Sequence, residues 1–306
     1  MKRFLAFICA IAILLSLAGC GSGGSSSSAN TGDGGLVVAA TTYPIYLFTT
    51  AIVGDVEGVT VEQVITDKVS CIHDYTLTVP QMKIIEAADI VVENGAGFED
   101  FMSDVLAASD AEVVDSSEGI SLLKMMEDGT EEDDPHIWMS PDNAKVMLKN
   151  IADGLSAADS SHAAAYSANY EAAVKQLDDA ADSLDADKIS APQDCKLITF
   201  HDGFQYFAQY FGFDLVASIE EESGSEASAK DIESIVSLVK QYDIPAVFTE
   251  VNGSDTTAQA IARETGAGVY SLDLIMSGDG SGIEPYIKAI NGNYYTVHDV
   301  FAAAAG

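Results

Sequence analysis

From Leu36 onward, short runs of β-branched and apolar residues alternate with segments whose apolar positions recur at helical spacing. Leu36-Val37-Val38-Ala39-Ala40 is continuously apolar, as in a strand buried on both faces, and Pro44 then opens a helical stretch to Ile52. Val59 to Ile65 predicts a second strand, residues 79–88 a helix, Asp89 to Glu93 a strand stopped by Asn94-Gly95, and Val113-Val114 a further short strand. Two helices follow in succession. Ser140-Pro141 is a start signal, after which Ala144, Met147, Leu148, Ile151 and Leu155 share one face. From about Ser160, the residues Tyr166, Tyr170, Val174, Leu177, Ala181 and Leu184 form one long stripe whose acidic opposite face is a solvated surface.

The βα rhythm resumes at Lys196 to Phe200, a strand, with a helix from Phe204 to Phe211 closed by Gly212. The stripe Phe204, Phe207, Phe211 is expected to pack on the sheet. Ile232, Ile235, Val236 and Val239 mark the next helix, Ile244 to Glu250 a strand, Asp255 to Gly266 a helix, and Gly268 to Asp273 the last strand. The tail from Pro285 to Gly306 is expected to be helical, with an interruption at Gly292. The pattern predicts an α/β protein with two lobes, each a mostly parallel sheet flanked by helices, joined by a long spine helix. The boundaries fall at 36–158 for the N-terminal lobe, 159–188 for the linking helix and 189–306 for the C-terminal lobe.

Ahead of Leu36 the pattern differs. Lys2-Arg3 and the apolar run Phe4 to Leu17 have the proportions of a secretory signal, too short for a stable transmembrane span. The run ends Leu17-Ala18-Gly19-Cys20, which resembles a bacterial lipobox, so residues 1–19 are expected to be removed and Cys20 lipidated. Residues 20–35 then serve as a lipidated cysteine and a flexible Gly/Ser tether, holding an extracytoplasmic body at the cell membrane.

Charge narrows the partners. With 14 Lys+Arg against 48 Asp+Glu, the formal net charge is −34 at pH 7. Nucleic acid is excluded, and the bilayer is met only through Cys20, because anionic surfaces repel such a body. Cys71 and Cys195 remain after processing. Cys195 sits some six residues, or about 20 Å, up its strand from the end where Cys71 falls, too far for a disulfide, so both thiols are expected to be free.

In open α/β sheets ligands gather at the carboxyl ends of strands. There the sequence places His201, Glu250 and Asp273, while His73 and His136 lie in loops of the first half. His162 and His298 are read as ordinary surface or tail residues. Gly95-Ala96-Gly97 lacks the third glycine of a dinucleotide fingerprint and is a turn.

Several motifs share one likeness. They are His73-Asp74-Tyr75 before Pro80, Ala88-Asp89-Ile90-Val91 with Asn94-Gly95-Ala96-Gly97-Phe98-Glu99, Asp134-Pro135-His136-Ile137-Trp138-Met139-Ser140-Pro141, and His201-Asp202-Gly203-Phe204. With Phe248-Thr249-Glu250 and Leu272-Asp273, the chain resembles the metal-specific solute-binding lipoproteins of ABC importers, the ZnuA/TroA type. The resemblance implies a metal site in the cleft between the lobes, with His73, His136, His201 and Asp273 as ligands. It implies capture of Zn²⁺ for delivery to an ABC permease subunit in the membrane, by a monomer that catalyses nothing.

The third position separates manganese-type relatives, which carry a carboxylate there, from zinc-type relatives, which carry histidine; His201 therefore points to zinc over manganese. Ligand chemistry agrees, since imidazoles with one carboxylate suit a borderline ion in tetrahedral coordination. Such binding is expected to weaken as pH falls below about 6, because the imidazoles must be neutral. Glu250 is ranked as an acceptor for a ligand imidazole or an alternative ligand, and Asp74 and Asp202 are given the same orienting part.

Three departures stand out. The segment Glu127 to Asp134 is short and acidic where zinc-type relatives often have a histidine-rich loop, and is read as a solvated loop with at most a weak cation-collecting role. Cys71-Ile72 replaces Asn-Pro, so a thiolate could compete for the ion. The tail after Asp273 is irregular. Two other classes remain as alternatives. A three-histidine zinc hydrolase would use Glu250 as general base if water replaced Asp273, and a surface adhesin would bind no metal tightly.

Overall fold

The computed structural model describes residues 35–68, 72, 75–127, 130–187, 195–220 and 227–305. Residues 1–34, on which the expected signal segment, Cys20 and nearly all of the expected tether fall, lie outside these residues, as do Cys71, His73 and Asp74.

The first half holds β1 (Leu36–Ala40), α1 (Tyr43–Val53), β2 (Val59–Gln63), α2 (Val79–Ala87), β3 (Ile90–Glu93), α3 (Ser103–Ala108) and β4 (Glu112–Asp115). Its sheet runs β2-β1-β3-β4 and is parallel throughout. After a hairpin, α4 (Pro141–Ala158) and α5 (Ala163–Asp187) cross to the second half. That half holds β7 (Lys196–His201), α6 (Gln205–Phe211), β8 (Asp214–Glu220), α7 (Ala229–Tyr242), β9 (Ala246–Glu250), α8 (Thr256–Thr265), β10 (Gly268–Leu272) and α9 (Glu284–Ala305). Its sheet, β10-β9-β7-β8, is also parallel.

Read from the second strand of each, the two sheets have the same order, with the first strand inside and flanked by the second and third. The chain therefore reverses direction across each sheet beside its first strand, and this reversal opens a crevice at the carboxyl edge. In the second sheet, His201 ends β7 and Glu250 ends β9, on either side of that crevice.

Local chemistry explains the elements. Pro141 stands at the first turn of α4, and Ser140 Oγ accepts the Asn143 N–H, a cap worth about 1 kcal/mol. Gly212 and Gly266 end α6 and α8 in the left-handed conformation that glycine adopts without penalty. The α5 stripe packs on α1, α4 and α9, so one helix of about 37 Å touches elements from both halves.

Four readings are corrected. The segment over 127–134 is not merely a loop: β5 (Lys124–Glu127) and β6 (Thr130–Asp133) pair antiparallel, with Lys124 Nζ 2.6 Å from Asp133 Oδ1. β8, which the pattern did not predict, is the edge strand beside β7. The short α3 was also not foreseen. And α9 runs unbroken through Gly292, because Tyr286, Ile290, Asn293, Tyr294, Val297 and Phe301 anchor its buried face on both sides of that residue.

The two halves share one interior. A single cluster of buried residues runs from Val38 and Phe48 through Trp138 and Leu148 to Phe207, Leu272 and Tyr286. A smaller cluster, including Ile198, Val236, Val247 and Ile261, fills the other face of the second sheet. Side chains tie the halves directly: Phe48 packs edge-on to Tyr286 at 5.0 Å, Tyr286 Oη donates to Trp138 O, and Gly282 N–H donates to Thr50 Oγ1. Among the described residues, no helix is long and apolar enough to cross a membrane.

Candidate metal centre

His136 sits where the chain leaves the hairpin, immediately before the 3₁₀ turn Ile137–Met139. Asp134, two residues earlier and fully buried, folds back over it. Its Oδ1 accepts the His136 backbone N–H at 2.9 Å and lies 2.8 Å from His136 Nδ1. That contact puts the proton on Nδ1 and leaves Nε2 as the lone-pair nitrogen, the arrangement of a carboxylate–histidine–metal triad. The ring is also boxed in by aromatics, with Phe98 at 5.9 Å and Trp138 at 5.3 Å between centroids.

A second brace arrives from the turn after β3. Glu99 is buried and accepts from Thr41 Oγ1 at 2.7 Å, Asn94 N at 2.8 Å and Gly95 N at 3.1 Å. Asn94 Nδ2 in turn donates to Pro135 O at 3.0 Å, holding the residue next to His136. Burial pushes the Glu99 carboxyl up to about 8 against the pull of those donors, with nearby Glu93 adding to the rise. Gly95 has φ 77°, and a Cβ there would strike Asp115 Oδ1, so the turn requires glycine.

From the other half, His201 meets His136 edge to face, with ring centroids 5.0 Å apart. Both imidazoles are 1% exposed. Gly203 N–H donates to His201 Nδ1 at 2.8 Å. The absence of a side chain at Gly203 is what lets the rings meet, because a Cβ there would stand 2.7 Å from His136 Cδ2 and 3.0 Å from Nε2. Ligand atoms of His136, His201 and Asp202 all lie within 4.8 Å of one another. Tyr206 closes this corner: its Oη donates to Asp134 O and accepts the Leu123 N–H, both at 2.9 Å, so one hydroxyl pins both ends of the β5–β6 hairpin.

The structure therefore brings together His136 and His201 of the expected set, with Asp202 beside them. Asp273 follows β10 on the same edge but outside this tight group. It is held by its own scaffold. Asn293 clamps its backbone with two 2.7 Å bonds, Ile275 N–H donates to its Oδ1 at 2.7 Å, and Trp138 Nε1–H donates to Leu274 O at 2.9 Å. Burial raises the Asp273 pKa, while the Ile275 N–H pulls it down. Ile275 has φ 64°, a strained conformation for a β-branched residue, which marks this turn as one fixed by its surroundings. Glu250, 7% exposed at the end of β9, also lies outside the tight group, and His73 lies outside the described residues. A groove of about 500 Å³ reaches Asp202 between Lys124 and Met125 of β5, Gln205 and Gln209 of α6, and Ser218 of β8.

Asp134, Asn94, Gly203 and Asn293 were not assigned roles from the sequence. The first three stand inside quoted motifs, so adjacency to His136, His201 and the Asn-Gly turn was a usable signal. Asn293 carried none, since it sits in a helix far along the chain.

Set chemically, two buried imidazoles and a buried carboxylate from two halves of one chain suit a divalent cation. Known proteins agree. The iron-binding protein YfeA of Yersinia pestis is 30% identical over 256 residues, 78% of this chain and 78% of its own length. The high-affinity zinc uptake system protein ZnuA of Bacillus subtilis is 27% identical over 288 residues, 90% of this chain and 89% of its own. The solved structure of FpvC from Pseudomonas aeruginosa in complex with Mn²⁺ superposes with a TM-score of 0.79 at 27% identity, over 88% of this chain and 99% of that one. Residues 38–300 match the family "ZnuA: Zinc-uptake complex component A periplasmic". The chain belongs to that family, the metal-binding solute-binding proteins of ABC uptake systems, which are receptors rather than enzymes.

Proposed function

We propose that this receptor captures Zn²⁺ outside the cytoplasm and hands it to the permease subunit of an ABC importer, while Cys20, once lipidated, tethers it to the membrane and the body acts as a monomer. The observation that carries the reading is the meeting of His136 and His201 at 5.0 Å in a buried pocket built from both halves. Two neutral imidazoles favour zinc over the oxygen-preferring ions. His73 and Asp273 complete four-fold coordination in this proposal, leaving no open position for an activated water. Glu250 stands behind them as an acceptor for an imidazole N–H or as a replacement ligand. The large negative charge raises the local concentration of any divalent cation.

Manganese is the second reading, favoured by the carboxylate of Asp202 among the converging groups. The deciding experiment is metal analysis of protein purified without added metal, followed by competitive titration of Zn²⁺ against Mn²⁺ at neutral pH. Stoichiometric zinc and a clear zinc preference are expected; a preference for Mn²⁺ would replace zinc in this reading, and no tight binding of either would remove it.

A further inference from the structure

The hairpin that leads the chain into His136 has a last rung closed by a side chain. β5 and β6 pair from Glu127↔Thr130 back to Lys124↔Asp133, and the next pair outward is Leu123 and Asp134. Residues facing each other in a hydrogen-bonded antiparallel pair exchange both of their N–H···O bonds. Here one bond is direct, from Asp134 N–H to Leu123 O at 2.9 Å. The other is relayed through α6: Leu123 N–H donates to Tyr206 Oη, and Tyr206 Oη donates to Asp134 O, both at 2.9 Å. Tyr206 is 2% exposed, and burial pushes its phenol up to about 12, so it keeps the hydrogen that it donates.

Asp134 is the residue that aims His136, through the backbone N–H at 2.9 Å and Nδ1 at 2.8 Å. Tyr206 stands five residues after His201, in the helix that follows β7. One short run of chain therefore supplies one imidazole and also fixes the main chain of the residue that braces the other. A carboxylate can direct a ring only if its own backbone is held, since otherwise the ring would drift with it.

We propose that Tyr206 is a positioning residue for metal capture: by holding Asp134 O, its hydroxyl sets where the His136 ring stands relative to His201. This rests on the metal-capture reading above and deepens it. Tyr206 touches no ion. It acts by keeping the two imidazoles at one separation, so that binding does not have to assemble them first.

The test is Tyr206→Phe, which removes one oxygen. Zinc affinity is measured by chelator competition, and stability by denaturant melts of the metal-free protein. Zinc should bind about tenfold more weakly, the low end of what loss of an outer partner costs. Tyr166→Phe is the control for a phenol lost from the interior: Tyr166 is fully buried, donates to Asp159 Oδ2 at 2.9 Å, and should keep wild-type zinc affinity when its hydroxyl is removed. Equal zinc losses in the two variants would make the effect one of stability alone and overturn the proposal, as would unchanged affinity in Tyr206→Phe. A double-mutant cycle reads the route. In an Asp134→Ala background, where no carboxylate is left to aim the ring, Tyr206→Phe should weaken zinc no further; additive losses would overturn the path through Asp134. If the wild type binds neither Zn²⁺ nor Mn²⁺, the capture reading fails, and this inference falls with it. Should Tyr206→Phe not fold, Tyr206→para-fluorophenylalanine, which fills the space of the hydroxyl without donating, serves under the same criteria.

Discussion

His136 Nδ1 lies 2.8 Å from Asp134 Oδ1, and that contact decides which nitrogen of the ring is left to bind. The same carboxylate oxygen holds the backbone N–H of His136, so ring and main chain are fixed by one atom. Asp134→Ala should weaken metal binding by roughly 10–100-fold while the fold survives. Chelator competition with circular dichroism on the same sample checks this; wild-type affinity in the variant would show that the contact orients nothing.

Gly203→Ala is expected to act through space alone. The added methyl would stand 2.7 Å from His136 Cδ2, in a ring that is packed on Phe98 and Trp138 and has little room to yield. The imidazoles should be pushed apart, costing about tenfold in zinc affinity, ~1.4 kcal/mol, and less for larger ions such as Cd²⁺. The ratio of zinc to cadmium affinities is the readout.

The chain's single tryptophan, Trp138, is fully buried with its centroid 5.3 Å from that of His136. Adding zinc should therefore produce a saturable change in its emission. His136→Ala should abolish the change, and a titration in which the variant responds like wild type would place the ion elsewhere.

Glu99 makes stability depend on pH. Burial holds its carboxyl up at about 8, well above the ordinary carboxylate range. The folded state thus keeps a proton that the unfolded chain has already released, so this group's contribution to stability declines as pH rises through that window. Glu99→Gln should remove up to about 1.4 kcal/mol per pH unit from the slope, seen in denaturant melts of metal-free protein between pH 5 and 8. An identical slope in the variant would mean that Glu99 is ionised throughout.

His162 is the control. Its Nδ1 contacts Asp159, which also accepts from Tyr166 Oη, at the start of α5. His162→Ala should cost no more than about 1 kcal/mol of stability and leave zinc affinity unchanged.

Much of this was legible in the sequence because burial writes a pattern. Val38 to Ala40, Leu197 to Phe200 and Val247-Phe248 are strands buried on both faces, and each is apolar apart from the buried Thr199. Where structure comes from backbone pairing alone, the pattern is silent. The exposed strand Thr130-Glu131-Glu132-Asp133 has no apolar residue and is held by its ladder to β5. β8 lies at a sheet edge between acidic ends, and Gly292 reads as a breaker until the buried side chains of α9 outweigh its propensity. In the site, His136 and His201 stood out by residue type and motif. The relay through Tyr206 and the clearance above Gly203 depend on where atoms point, which spacing does not encode.

Because α9 lies back against α1 and one apolar interior runs beneath both sheets, swinging the halves apart like a clamshell would strip Tyr286 from Phe48 and wet a dry seam. The ribbon of β5 and β6, whose two ends share the hydroxyl of Tyr206, lies outside that interior, so displacing it would leave the seam dry.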